Sequence, residues 1–383
     1  MQTQSTPVHV RLWHTDFWCL ALAWFLLTAS AYMLIPVLPP MADGFLPPAT
    51  LALLMASYVP GLFVMGPLCN YLVQRFRRNH VCQAAVMAML SCAAAVYLLR
   101  HSAWGLPHPP AFLLLRFFFA VGYGLGGMVL LSTLVTDVSE SCFRTEANYS
   151  VAWTGRLAMA VGPVAGIAVQ QAFAFEYVLL AIGACCLLAV LLIEKVKLPF
   201  RAPDDDVARL SSDRFFMASS WPLVLNLMMF TAALGTVMAG ALSLAFYALM
   251  LVGFFLALVA ERLSATSDSP WSSFPAAMLS MGIALLLLTT GFQLPAAVFT
   301  GLAVGISGTR FMLFFINTSH HCQRGTSQST CFLAWECGIG LGLSLGIVLA
   351  DGQRLIVASL LVLLSLATYL LLTARWLSGH RNR

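Results

Sequence analysis

Charge is scarce in this sequence: only 9% of its 383 residues are Asp, Glu, Lys or Arg, against about 25% in soluble domains. So few charges cannot cover a water-facing surface of this size, so most of the chain's solvent must be lipid. The formal net charge of +5 is spread thinly and excludes the dense basic patch that nucleic-acid binding requires. No Walker-type glycine loop is present, so ATP does not drive the protein directly and no cofactor is expected. A metal set is also missing, since His320, His321 and Cys322 adjoin in a loop without further ligands at suitable spacing. An enzyme acting on lipid would need a nucleophile–base set within the apolar runs, and none is read there. The ten cysteines, among them Cys19, Cys92, Cys185, Cys186 and Cys337 in apolar runs, read as small packing residues with no disulfide. Nor is the N-terminus a cleavable signal: Met1 to His14 is polar with a single Arg, and the run from Phe17 to Leu38 is too long for a signal core.

What is present is apolar length. Hydrophobic residues make up 60% of the chain and mean hydropathy is +0.87. A spanning helix needs about 20 mostly apolar residues. Runs of that kind fall at 17–39, 49–74, 80–99, 111–136, 147–172, 175–194, 221–238, 240–260, 272–292, 295–316, 328–350 and 355–377. Gly235, Ala239 and Gly240 leave only a very tight turn between the seventh and eighth.

The basic residues test that count. Twelve spans place Arg11, Arg75, Arg77, Arg78, Arg144, Lys195, Lys197, Arg201, Arg209, Arg214, Arg262, Arg324, Arg375, Arg381 and Arg383 on the side of the N-terminus, and only Arg100 and Arg354 on the other. The positive-inside rule then puts both termini in the cytoplasm. Glu194 to Ser220, with Asp204, Asp205 and Asp206, is too polar to cross a membrane. The chain therefore divides into a six-helix bundle over 1–194, a cytoplasmic linker over 195–220 and a second bundle over 221–383. Ala152-Trp153 in the fifth span and Ala334-Trp335 in the eleventh form a faint repeat, 182 residues apart from Trp153 to Trp335. Duplicated six-helix halves place a substrate site at mid-membrane between them.

Several motifs resemble the major facilitator superfamily, in particular its twelve-span drug:proton antiporter branch. Gly155 with Gly162, Pro163 and Gly166 in the fifth span is similar to the branch's antiporter motif. Small residues there allow close backbone approach, and the proline favours a kink. Leu114-Leu115-Arg116 through Gly124 resembles the motif whose intramembrane arginine is implicated in proton coupling, with Ala120 where Gly is usual. Gly66, Asn70, Arg75, Arg77 and Arg78 resemble the cytoplasmic loop signature, with Asn70 replacing the usual Asp and Val73 replacing Gly. Tyr32 to Pro39 resembles the proline-bearing end of the first helix. Unlike many members of that branch, this chain has no acid deep in its first span. Asp16 sits at that span's edge, and Asp137 and Glu140 fall at the inner end of the fourth.

The resemblance implies an all-α membrane protein of two pseudo-symmetric six-helix bundles, working as a monomer in the inner cell membrane. Its partners would be a small-molecule substrate, protons and the bilayer. Ionisable groups in hydrocarbon are functional candidates by default. At about 1.5 Å per residue, Arg156 lies about 13 Å into its span, Glu336 about 12 Å and Arg310 about 9 Å. Glu336 is the candidate proton carrier, with Arg116 or Arg156 responding to it. A static Glu336–Arg310 ion pair is the competing structural role. Tyr32, Tyr58, Phe118, Tyr123, Trp153, Asn226, Phe230 and Trp335 are the candidate cavity lining, which suits an amphipathic organic compound. Proton-coupled efflux is the first expectation; uptake of a sugar or organic anion is the second.

Overall fold

A computed structural model describes residues 12–42, 46–101, 109–198, 207–263, 270–320 and 323–380. Arg11, Arg201, Arg381, Arg383, His321, Cys322 and the Asp204–Asp206 run lie outside the described residues, as does the side chain of Arg262. The described residues are helical, without strands. This follows from the solvent: in hydrocarbon each backbone N–H and C=O must be satisfied within its own segment.

The helices are α1, Thr15–Ala42; α2, Pro48–Val64 continued by Gly66–Arg75; α3, Arg78–His101; and α4, Pro109–Val138. There follow α5, Arg144–Ala172; α6, Phe175–Lys195; α7, Trp221–Met238; and α8, Leu244–Leu263. The last four are α9, Pro270–Thr289; α10, Gln293–Asn317; α11, Arg324–Val348; and α12, Asp351–Gly379. Among the described residues, ten helices are long and apolar enough to cross a membrane, and eleven if bent α2 is one span. The ninth contributes a shorter apolar helix, Phe274–Thr289.

Local departures from the expected runs have identifiable causes. The second run is bent by 43° after Val64, where Pro67 lacks an N–H and its ring crowds the preceding turn. The fourth carries a π-helical stretch at Leu130–Leu134, and the twelfth another at Tyr369–Thr373. Between α7 and α8 the turn is longer than expected, over residues 239–243. It is closed by Gly240 N donating to Val237 O and Leu242 N to Gly240 O.

Packing repeats with an offset of six helices. α1 packs on α5 and α6, α2 on α4, and α3 on α4 and α6; likewise α7 packs on α11 and α12, α8 on α10, and α9 on α10 and α12. Glycines make the matching seams. A Cβ at Gly166 of α5 would fall 2.5 Å from Met33 O of α1, and one at Gly342 of α11 would fall 2.1 Å from Ala232 O of α7. Such close approach replaces the hydrophobic effect as the glue between helices in lipid. Outward faces are apolar and exposed, as at Leu187 and Leu191 of α6 or Leu360 and Leu363 of α12.

The two groups of helices meet along α5 with α8 and α10, and along α11 with α2 and α4. Part of the linker is fastened into this seam. Arg214 N donates to Thr326 Oγ1 and its Nη1 to Thr133 Oγ1, Met217 N donates to Thr330 Oγ1, and the Phe215 ring packs on Gly66. Arg214 holds φ at 57°, a left-handed conformation that costs a non-glycine residue roughly 1–2 kcal/mol. Burial lowers its pKa, Arg78 adds to that effect, and Asp137 opposes it.

The backbone seam between α8 and α10 can be tested directly. A Cβ at Gly253 would lie 1.9 Å from Val298 O, whereas one at Gly282 meets nothing within 4 Å. Gly253→Ala should therefore destabilise by about 1–3 kcal/mol, and Gly282→Ala should not. Thermal unfolding in detergent compares them; equal midpoints would mean that α8 and α10 are not in backbone contact.

Candidate functional site

The site is built on α11, whose residues are small enough to let it be buried on nearly every side. In a helix, residues four apart share a face. One such row, Gly338, Gly342 and Gly346, lies on the backbone of α7 at Met228, Ala232 and Thr236. A second row, Phe332, Glu336, Gly340 and Ser344, touches only helices of the first six in the contacts that follow. Phe332 stands edge-on to Trp24 and Tyr123, with ring centroids at 5.3 and 5.5 Å. Gly340 faces Tyr58 and Val59, and Ser344 Oγ donates to Ala52 O at 2.8 Å.

Glu336 is the centre of that row. It lies twelve residues past Arg324, about 18 Å along the helix, and is 4% exposed. Three tyrosine hydroxyls donate to its carboxylate. Tyr58 of α2 reaches Oε2 at 2.9 Å, while Tyr32 of α1 and Tyr123 of α4 reach Oε1 at 3.1 and 3.3 Å. A buried carboxylate without such donors would be far more costly to hold. Arg116 does not pair with it directly. Its guanidinium lies 4.7 Å over the ring of Tyr58 and 5.7 Å over Phe119, and its Nε and Nη1 have no hydrogen-bond partner. The cation is thus connected to the carboxylate through the ring of a tyrosine that donates to it.

Arg156 of α5 lies at the same depth. Its guanidinium stacks 4.5 Å over Trp335, its Nη1 donates to Ala152 O at 3.1 Å, and its Nε is without a partner. Trp335 Nε1 in turn donates to Met159 Sδ at 3.2 Å. Arg156, Trp335 and Glu336 line one cavity with Trp24, Thr28, Phe332, Cys331, Met159 and Met312. It holds only about 40 Å³ of water-sized space, room for about three waters, against about 300 Å³ or more for a ligand site.

Arg310 is elsewhere. Its partner is Glu261 of α8, not Glu336, with Nε 3.8 Å from Oε1. Thr309 also donates to Glu261, as does Tyr149 of α5 at 2.5 Å. This cluster joins α5 to α8 and α10 at the face where Arg324 and Arg144 lie. The static Glu336–Arg310 pair expected as the structural alternative is therefore absent.

Other expected lining residues divide. Tyr32, Tyr58, Tyr123 and Trp335 converge as described. Trp153 is buried against Phe254, with centroids at 4.5 Å, and Phe230 packs on Phe274 and Trp335. Phe118 is a correction: it is 51% exposed beside exposed Leu114, four residues earlier on the same outward face of α4. Asn226 is another, since its Nδ2 donates to Ser365 O and Thr368 Oγ1 and ties α7 to α12. Gly155 accommodates Trp24, and Gly162, beside buried Pro163, accommodates the Ala29 carbonyl, so this motif packs α5 on α1. In the loop motif, Gln74 donates to buried Asn70 at 2.9 Å and Arg78 pairs with Asp137 of α4; Arg75 and Arg77 lie at the end and just beyond the end of α2. Sequence reasoning missed Glu261, although an acid on the last turn of an apolar run was a usable signal. Trp24 and Phe332 carried none, because aromatic residues in apolar helices usually only pack.

Two offset-matched groups of helices meet around a small, charged compartment, an arrangement that suits a multi-pass membrane transporter. Residues 20–342 match the sequence profile of the Major Facilitator Superfamily, and the chain belongs to that family. No curated protein sequence matches this one. Three solved structures are similar to it. The human organic anion transporter MFSD10 is 16% identical with a TM-score of 0.65, covering 92% of this chain and 98% of its own. A bacterial homologue of the human lysosomal transporter Spinster, solved inward-facing and unoccupied, is 14% identical with a TM-score of 0.67, covering 96% and 98%. A variant of the fucose:proton symporter FucP of E. coli is 15% identical with a TM-score of 0.66, covering 96% and 99%. At these identities the likeness is one of fold.

The Glu261 cluster should hold its face closed, and a native thiol can report on it. Cys331 is 1% exposed and lines the cavity. In a background without the other cysteines, Glu261→Ala should speed labelling of Cys331 by a water-soluble maleimide several-fold. An unchanged rate would show that this cluster does not restrain the opening.

Proposed function

We propose that this protein is a secondary active transporter that exports small amphipathic organic compounds in exchange for protons. The observation that carries coupling is the position of Glu336: a single carboxylate on α11, gripped by hydroxyls of three helices from the other half. Hydrogen bonds to an ionised carboxylate are worth about 1.5–3 kcal/mol each, and those to a neutral group about half that. Adding or removing a proton therefore changes how firmly the halves are joined at mid-membrane.

In this reading residues 1–194 and 221–383 move as two units joined by residues 195–220. The α5–α8–α10 cluster closes one face, and the α2–α11 contacts at Ala52 and Ser344 close the other. Both are made here, which supports a shut intermediate between two open states. Loading and release then require the two sets of contacts to break alternately. The outward direction rests on the antiporter-like glycines at Gly155, Gly162 and Gly166, and the inward alternative would use the same machinery. The arginine distribution supports cytoplasmic termini in a cell's inner membrane, and the protein is taken to work as a monomer.

Glu336→Gln tests coupling, because it keeps the shape and removes the charge. In proteoliposomes loaded with a panel of amphipathic compounds, an imposed pH gradient should drive flux through the wild type. The variant should lose that response while retaining exchange across equal pH. Gradient-driven accumulation at the wild-type rate would remove Glu336 as the coupling group. Phe in place of Tyr58, which makes the shortest of the three bonds, should cut gradient-driven flux more than Phe in place of Tyr123, which makes the longest.

A further inference from the structure

Charges around the compartment do not balance. Arg310 is engaged by Glu261, whose charge also reaches Arg156, so Arg116 and Arg156, both 7% exposed, share with Arg310 the two carboxylates of Glu261 and Glu336. One positive charge is in excess in a low-dielectric interior, where an uncompensated ion is costly. Neither arginine makes a direct ion pair within the described residues, and each keeps a buried N–H without a partner.

Of the two, Arg156 faces the cavity. It is held as a pre-oriented anion receptor would be, with Nη1 tied to Ala152 O and its plane laid on Trp335. Gly308 of α10 leaves the space for it, since a Cβ there would fall 1.7 Å from Arg156 Nε. The remaining walls, Trp24, Phe332, Met159 and Met312, offer no counter-charge and favour a flat or compact apolar body.

Resting on the transport reading above, we propose that the substrate is a monovalent organic anion with an apolar body, whose negative group pairs with Arg156. The compartment is electrically balanced when one such anion joins an ionised Glu336. A guanidinium suits carboxylate or sulfonate through paired N–H donors, and the tryptophan beneath it holds its plane while the halves move. The cavity as it stands is too small to admit the anion, so entry goes with opening at one face. Arg156 touches α10 and α11 from α5, so occupation of that pair is sensed at the seam between the halves.

Three probes of one shape separate the possibilities: benzenesulfonate, neutral benzenesulfonamide and cationic benzyltrimethylammonium. Purified protein in detergent is titrated with each, reading tryptophan quenching and the unfolding midpoint. Benzenesulfonate should quench and stabilise, and the other two should do neither. Arg156→Gln should weaken benzenesulfonate by about tenfold or more, the equivalent of one charge-assisted hydrogen bond, with Arg156→Lys intermediate. Should Arg156→Gln not fold, Gly308→Ala serves: it keeps every charge, displaces the guanidinium and should weaken benzenesulfonate in the same direction. Sulfonamide or the ammonium binding as tightly as sulfonate, no binding of any probe, or wild-type sulfonate affinity in both Arg156→Lys and Gly308→Ala would each overturn the proposal. Failure of the transport reading shows differently, as sulfonate binding that is sensitive to Arg156 without any sulfonate counterflow in proteoliposomes.

Discussion

The rest of this structure depends on one carboxylate held across a seam. Glu336 belongs to α11, yet each of the three hydroxyls that bind it comes from α1, α2 or α4. Around that point, Phe332, Gly340 and Ser344 extend the same helical row onto the first half. Three phenols can accommodate a charged or a neutral acid, because each keeps a hydroxyl that either form can bond. What changes is the strength of the grip, and a seam in a dry interior feels that change fully.

The halves reach across the seam reciprocally. From α11, Glu336 enters the first half; from α5, Arg156 enters the second, against Gly308 and Trp335. These two helices are the counterparts implied by the Trp153 and Trp335 repeat. Each is glycine-lined on the side facing its own half, α5 on α1 and α11 on α7. Tight backbone contact makes each half a firm unit, whereas the seam mixes aromatic rings and a few polar groups with close approach at Gly325 and Gly340. Stiffness within the halves is what a rocking motion requires, with the contacts across the seam remade at each step.

Much of this was legible in the sequence because lipid leaves little choice. Length, apolarity and arginine placement located the helices to within a few residues, and costly intramembrane charges singled out Glu336, Arg116, Arg156 and Arg310. Pairing was not legible. Arg310 joins Glu261 because α8 and α10 share a glycine seam, which spacing along one chain cannot reveal. Helix rotation was equally hidden: Phe118 and Tyr123 lie five residues apart on α4, yet one faces outward and the other meets Glu336. Asn226 shows the same limit, since a buried amide suits a ligand or a neighbouring helix equally well, and here it serves α12.

The linker breaks the symmetry that the helices keep. Its backbone at Arg214 and Met217 is bonded to the first turns of α11, and the Arg214 side chain reaches α4. A duplicated chain has only one such junction, and it lies at the Arg324 end of α11. Drawing α11 away from α4 at the junction's end breaks the linker's bonds, whereas parting the other end breaks the bond from Ser344 to Ala52. The two ends of the seam are thus held by unlike contacts, connecting chain laid against two helices at one end and helix directly on helix at the other.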